Sequence, residues 1–494
     1  MALFKKPNID KLIAKKDIKG LISAIKDPKN SADTDRIKKA IVRMGKDSIK
    51  PLADALMKSK SYARYKLVYI LRAMGNESCI QPLLIAAEDD DKQVRALALL
   101  SLSELPVQNN QDVYAAAAKA LQEGEPEVQY HAAAVLGRVG DKKAVELLGK
   151  KLNDSIQRDN VRQEAARALG LIGGEAAVKH LGKGLRWKAT RTEALDALGR
   201  IKDPASVDTL LELVKDKDEN IRSRALKILG GLLDEERMIS LSISLLTDEG
   251  YWVKKEAASI LETYNWKPKN AAQKLLFYEA QERLGDLARE AVLDLNPYLD
   301  ELKGGNLDLR RGVVKLFGQI VKDRLAEPDF IIDPLIAASQ DKDYDVAYEA
   351  VQSLGELKDD RAVDPLVNLL GGDLNRDAAE ALGKIRNPKA VEPLIHAMKQ
   401  KKNGLYYSNF ADALVSIGGE EVADALIAVL GENNPRTVTH AAAALGKLRA
   451  TKAVFILKAL LYSKDSDVSD AALDALKKIG GSDARQVLEE YYDR

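Results

Sequence analysis

The sequence predicts an all-α protein, a right-handed α-solenoid (an α-α superhelix) of about fourteen stacked helix pairs. Three observations predict it. One short pattern recurs along the 494-residue chain at near-constant spacing. Apolar residues within each copy fall at helical intervals. Strand signals are nearly absent.

The recurring pattern is clearest in "VRQEAARALGLIGG" (161–174), with Gly170 as its anchor. Equivalent positions hold Gly137, Gly199, Gly230, Gly318, Gly355, Gly383 and Gly446, and in degenerate copies Arg72, Ser103, Glu262, Val415 and Lys477. Successive steps from Gly137 are 33, 29, 31, 32, 56, 37, 28, 32, 31 and 31 residues. A period of this size marks a chain in which each unit buries its apolar face against its neighbours. The chain is also too long for one compact core of ordinary size.

Each unit reads as two helices. The A-helix appears in "SVDTLLELV" (206–214), "AVDPLVNLL" (362–370) and "AVEPLIHAM" (390–398). Apolar residues at i, i+3, i+4 and i+7 give it one buried stripe. The B-helix carries alanines and the anchor glycine. A mid-helix glycine costs ~1 kcal/mol against alanine, so its recurrence predicts a neighbouring backbone passing close by. Junctions carry stop and start signals. Glycines in "IGG" (172–174 and 417–419) predict C-caps, and Asp203–Pro204 and Asn387–Pro388 predict A-helix starts. Asn160, Asn220, Asp345 and Asp467 predict B-helix starts.

These two motifs, "VRQEAARALGLIGG" and "VEPLIHAM", resemble the HEAT family in its PBS-lyase HEAT-like subclass. The resemblance covers nearly the whole chain and implies a helical solenoid, a fold that serves many roles. Two stretches depart from the period. Residues 265–299 fill the long step and look like the hairpin insertion of some family members; 322–330 reads as a milder loop. The expected organisation is therefore repeats over 1–264, an irregular insertion or hinge with one repeat over 265–330, and repeats over 331–494.

Little in the sequence points to chemistry. Cys79 is the sole cysteine, so no intramolecular disulfide or multi-cysteine metal site forms. Iron-binding HEAT-like deoxyhypusine hydroxylases carry repeated His-Glu pairs. Here His131, His180, His396 and His440 are followed by Ala132, Leu181, Ala397 and Ala441. No nucleophile elbow, P-loop or dinucleotide fingerprint occurs. The expectation is a protein without catalytic, cofactor or metal residues. No stretch approaches the ~18 apolar residues of a membrane span.

Two sets of residues are candidates for partner binding. Eight positions before each anchor the column reads Arg64, Arg95, Gln129, Arg162, Arg191, Arg222, Lys254 and Arg310, then Ala347, Asn375, Tyr407, Val438 and Ser469. A fixed position in each repeat traces one continuous strip. Arginine's planar fork suits either an acid of the adjacent repeat or an acidic partner. The second set is aromatic: Tyr251 and Trp252, then Tyr406, Tyr407 and Phe410, all near B-helix starts. Aromatics there serve as interface anchors or as packing between repeats.

Charge is uneven although the net is +1. Residues 1–60 hold 16 Lys+Arg against 7 Asp+Glu, and residues 325–494 hold 20 against 28. The basic end suits a soluble cap, an acidic protein, a nucleic acid or an anionic membrane. The expected function is a cytoplasmic scaffold, adaptor or assembly factor that binds other proteins. A lyase-like or cofactor-insertion accessory role is one alternative, and nucleic-acid or membrane attachment through the basic end is another.

Overall fold

The glycine that ends a B-helix shows how the sequence sets its boundaries. In the computed structural model, which describes residues 8–400 and 407–493, Asp159–Ile172 stops at Gly173 with φ 73°. The second "IGG" stops its helix at Gly418 with φ 70°. Starts differ from expectation in a regular way. Asp218, Asp343 and Asp465 cap their B-helices by accepting from the N–H groups of Asn220, Val346 and Asp467. The expected residues, Asn220, Asp345 and Asp467, sit two positions later in the first turn. The earlier carboxylate wins because it still has extended backbone and can fold over the orphan donors. Asp203 and Asn387 cap as expected, but each opens a 3-10 turn, Pro204–Ser206 and Pro388–Ala390, before the A-helix proper.

The described residues form helices and turns without strands. By internal contacts the chain divides into two compact units, 1–241 and 242–494. Within each unit, A-helices pack beside A-helices and B-helices on B-helices. The B-on-B contact is where the anchor glycines act. A Cβ on Gly170 would stand 2.7 Å from the Ala197 Cβ and 2.9 Å from its Cα. The same clash would arise between Gly137 and Ala168, Gly355 and Ala381, Gly383 and Ala413, and Gly446 and Ala475. Every partner lies two residues before the next anchor. The predicted close backbone is thus the B-helix of the following repeat.

The long step is filled by a helical hairpin that stacks on the following repeat. Residues 265–299 contain Ala271–Ala280 and Leu284–Ala291, and Asn296–Gly304 follows. Ala271–Ala280 packs beside Asn296–Gly304, and Leu284–Ala291 packs on the long B-helix Leu307–Asp323. These are A-on-A and B-on-B contacts, so the segment is a shortened repeat lying wholly in the second unit. Trp266 packs edge-on against Phe277 at its entrance, with ring centroids 5.5 Å apart. In the second unit the core runs continuously from Leu275 to Val487.

Gly170→Ala should destabilise the chain. Overpacking costs ~1–3 kcal/mol and outweighs the helix-propensity gain of up to ~1 kcal/mol. Gly182→Ala is the opposite case, because its nearest atom, Thr209 Oγ1, is 3.7 Å away. It should gain about 0.5–1 kcal/mol. Denaturant unfolding of both variants checks the pair, and equal effects would sink the close-packing account.

Candidate protein-contact surface

The cation column is built from side chains that look both ways along the stack. Looking back, each reaches a carbonyl at or just after the end of its own A-helix. Arg64 donates to Ser59 O (3.0 Å), Arg95 to Asp89 O (2.6 Å), Arg191 to Leu185 O (3.2 Å), Arg222 to Asp216 O (2.8 Å) and Arg310 to Gly305 O (3.3 Å). Such carbonyls have no partner inside the helix, which is why a cation fits there. Looking forward, four of them meet an acid of the next repeat. The pairs are Arg64–Asp89 at 2.8 Å, Arg95–Glu125 at 2.7 Å, Arg191–Asp216 at 2.6 Å and Arg310–Asp341 at 2.8 Å.

The remaining positions vary this scheme. Gln129 accepts from Gln157 Nε2 at 2.6 Å. Arg162 is buried, bonds Leu152 O, and lies 4.3 Å over the Trp187 ring where other rungs meet an acid. Lys254 is half-buried and lines an open cleft. Beyond Arg310 the column loses charge yet keeps side-chain bonding, as at Tyr407 and Ser469. Tyr407 Oη accepts from Asn434 Nδ2 at 3.0 Å, and Ser469 Oγ donates to Leu461 O at 2.9 Å. The rungs therefore hold successive repeats in register.

The aromatic candidates separate. Tyr251 and Trp252 are exposed and meet edge-on at 4.9 Å. Lys255 stands over the Tyr251 ring, and both bond Glu282, at 2.6 Å from Tyr251 and 3.3 Å from Lys255. Tyr407 and Phe410 are buried, with Tyr407 stacked on His440, so neither presents a contact surface. The polar-start pattern fails there because a ring in the cation column is covered by the next B-helix. Tyr406 lies outside the described residues.

Sequence reasoning missed a groove along the B-helices of the second unit. Three clefts of about 610, 1020 and 540 Å³ follow one another. The first two share Leu284, Lys315 and Gln319; the last two share Glu356 and Lys358. Anchor glycines Gly318 and Gly383 line it. Tyr251 and Lys254 stand at its first cleft. Several cations in it are already paired, Lys315 with Glu279 at 2.7 Å and Lys384 with Glu356 at 3.0 Å. A separate cleft of about 650 Å³ in the first unit is lined by Lys16, Arg36, Lys39 and Arg43.

The histidines sit on separate repeats. Burial lowers the His131 and His440 pKa values, so both favour the neutral form. Among the described residues no cluster of His, Cys, Asp and Glu is arranged to hold a metal, and no helix is long and apolar enough to cross a membrane.

The fold and its stapled turns define an α-helical repeat protein. The sequence pattern of HEAT repeats matches residues 114–187, 186–262, 295–377 and 372–446, and the chain belongs to the HEAT repeat family. No protein of curated function matches the sequence. Among solved structures, yeast importin-beta (Kap95p) is 14% identical over 97% of this chain and 74% of its own, with a TM-score of 0.39. Kap121p is 12% identical, with a TM-score of 0.33; the match covers 99% of this chain and 55% of Kap121p. Human deoxyhypusine hydroxylase is 16% identical over 68% of this chain and 96% of its own, with a TM-score of 0.23.

Two measurements check the staples. A double-mutant cycle on Arg191→Leu and Asp216→Leu should give a coupling of about 0.5–1 kcal/mol; zero coupling would remove the pair from the account. The second uses pH. Burial of Asp341 opposes its ionisation, but the bonds from Arg310 and the Asp343 N–H prevail and hold its carboxyl below the usual range. A depressed folded pKa gives stability that is full above the unfolded value of ~3.9 and lost as pH falls through the folded one. Arg310→Met should therefore flatten the fall in unfolding free energy below pH ~4. Parallel curves for variant and wild type would count against the staple.

Proposed function

We propose that this chain is a non-enzymatic scaffold or adaptor that binds other proteins in the cytoplasm, with the B-helix groove of its second unit as the contact surface. We place its repeats in the PBS-lyase HEAT-like subclass on the alanine-rich B-helix and its glycine anchor. The observation that carries the functional reading is the continuity of three clefts along successive B-helices. An extended segment of a partner fits such a surface, gaining many weak contacts at the spacing of the repeats. Tyr251 is an exposed aromatic lining its first cleft, with exposed Trp252 packed edge-on against it, and aromatics are the residue type that anchors interfaces. The cation column contributes indirectly, by fixing the register of the surface.

A second reading has its own support. The cleft bearing Lys16, Arg36, Lys39 and Arg43 gathers the excess cations of residues 1–60. An anionic partner, whether nucleic acid or lipid surface, suits it.

Capture from extract with the purified chain, followed by mass spectrometry, separates the two. A stoichiometric protein partner lost in Gln319→Trp/Gln352→Trp, with thermal stability intact, supports the groove. Both side chains are half-buried groove residues. Loss confined to Lys16→Glu/Lys39→Glu/Arg43→Glu would move the function to the basic cleft. A partner indifferent to both variants would overturn the two readings together.

A further inference from the structure

A second row of cations stands along the groove, at positions where the backbone favours glycine. Many B-helices end on a residue with positive φ. Gly75 and Gly140 take the left-handed conformation, as do Lys202 and Arg449 outside the groove, while Gly173, Gly418 and Gly480 combine positive φ with extended ψ. Three successive repeats of the second unit place Arg324 (φ 54°), Lys358 (φ 57°) and Arg386 (φ 62°) in the left-handed conformation. L side chains enter this region at a cost that glycine does not bear. The repeat has an unstrained solution and these three forgo it.

Helix electrostatics do not explain the choice. A cation in the last turn offsets the partial charge of the C-terminus. Lys322 and Lys384 already occupy the last turns of two of these helices. Nor are the three committed to local pairing. All are exposed, and among the described residues none of the three side chains has an ion-pair or hydrogen-bond partner. The neighbouring Lys315 and Lys384, by contrast, are paired. Arg324 and Lys358 line the largest groove cleft; Lys358 and Arg386 line the next.

We infer that Arg324, Lys358 and Arg386 form a carboxylate-reading row, which docks an acidic, extended protein segment along the groove. Packed helices stand about 8–10 Å apart, and a chain in the extended polyproline II form advances about 3.1 Å per residue with three residues per turn, so every third side chain lies on one face. Carboxylates at every third residue therefore match one cation per repeat. A polyphosphate backbone fits less well. Glu349, Glu356 and Glu380 share the groove, and residues 325–494 carry 28 Asp+Glu against 20 Lys+Arg. Discrete carboxylates can sit between those acids, whereas continuous phosphates cannot avoid them.

The inference rests on the groove reading above, so its test uses purified full-length protein and a synthetic probe. The probe is a fluorescent Glu-Ser-Ser repeat peptide of roughly ten residues, enough to cross three repeats. Anisotropy should show saturable binding that weakens with salt. Arg324→Gly/Lys358→Gly/Arg386→Gly should weaken it at least about tenfold, with the thermal midpoint unchanged or raised because glycine relieves the backbone. Lys202→Gly, the same position in the first unit (φ 50°), should leave binding unchanged. Absent peptide binding, an unaffected triple variant, or an equal loss in Lys202→Gly would each overturn the row. So would tighter binding of an oligonucleotide of equal charge that the triple variant abolishes. If groove variants release a natural partner while the peptide fails, the carboxylate preference falls and the scaffold reading stands.

Discussion

The structure depends on one recurring contact: at Gly137, Gly170, Gly355, Gly383 and Gly446 the B-helix of one repeat lies against an alanine of the next. With 2.7–3.0 Å between a would-be Cβ and the facing Ala Cα or Cβ, the two backbones leave no room for a side chain at the anchor. That approach sets the step between repeats. It brings each A–B turn to a fixed place beside its neighbour, so an arginine of one repeat reaches an acid of the next. The groove of the second unit runs along the same row of B-helices. A larger anchor would move all three features at once.

The arginine column is the second constraint. Individual pairs of this kind are weak in water, about 0–1 kcal/mol. Their value lies in geometry: a rung that bonds a carbonyl behind and a carboxylate ahead fixes rotation between repeats. The column after Arg310 shows that the position matters more than the charge. Tyr407 and Ser469 replace arginine there, and each keeps one of the two bonds.

The sequence made the period, the helix pairs and the glycine contact legible because each follows from local residue identity repeated many times. Boundaries were harder. Aspartates two residues before the expected caps take the N–H groups, since several polar residues compete at each turn and only backbone angles decide. The shortened repeat was hidden because Leu284–Ala291 is only eight residues long and lacks a glycine anchor. Burial of Tyr407 and Phe410 depends on the facing helix, which no local pattern reports. The groove is a tertiary feature and left no motif. The row of Arg324, Lys358 and Arg386 was least legible of all, because a cation after a helix looks ordinary until its φ is known.

That φ is what separates the two cation columns. In the first, most arginines have spent their hydrogen-bonding capacity on neighbouring repeats and act on the fold. In the second, the backbone bears on the order of 1 kcal/mol per residue, the cap N–H groups bond helix carbonyls, and no side-chain bond is made among the described residues. A strained position with an unused charge, in an acidic stretch, has its favourable partner outside the chain. The surrounding acids then set selectivity. They weaken the pull on any dense polyanion, while a segment with spaced carboxylates still finds a cation at every repeat. The same acids that keep the second unit from binding polyanions indiscriminately make it a reader of spacing.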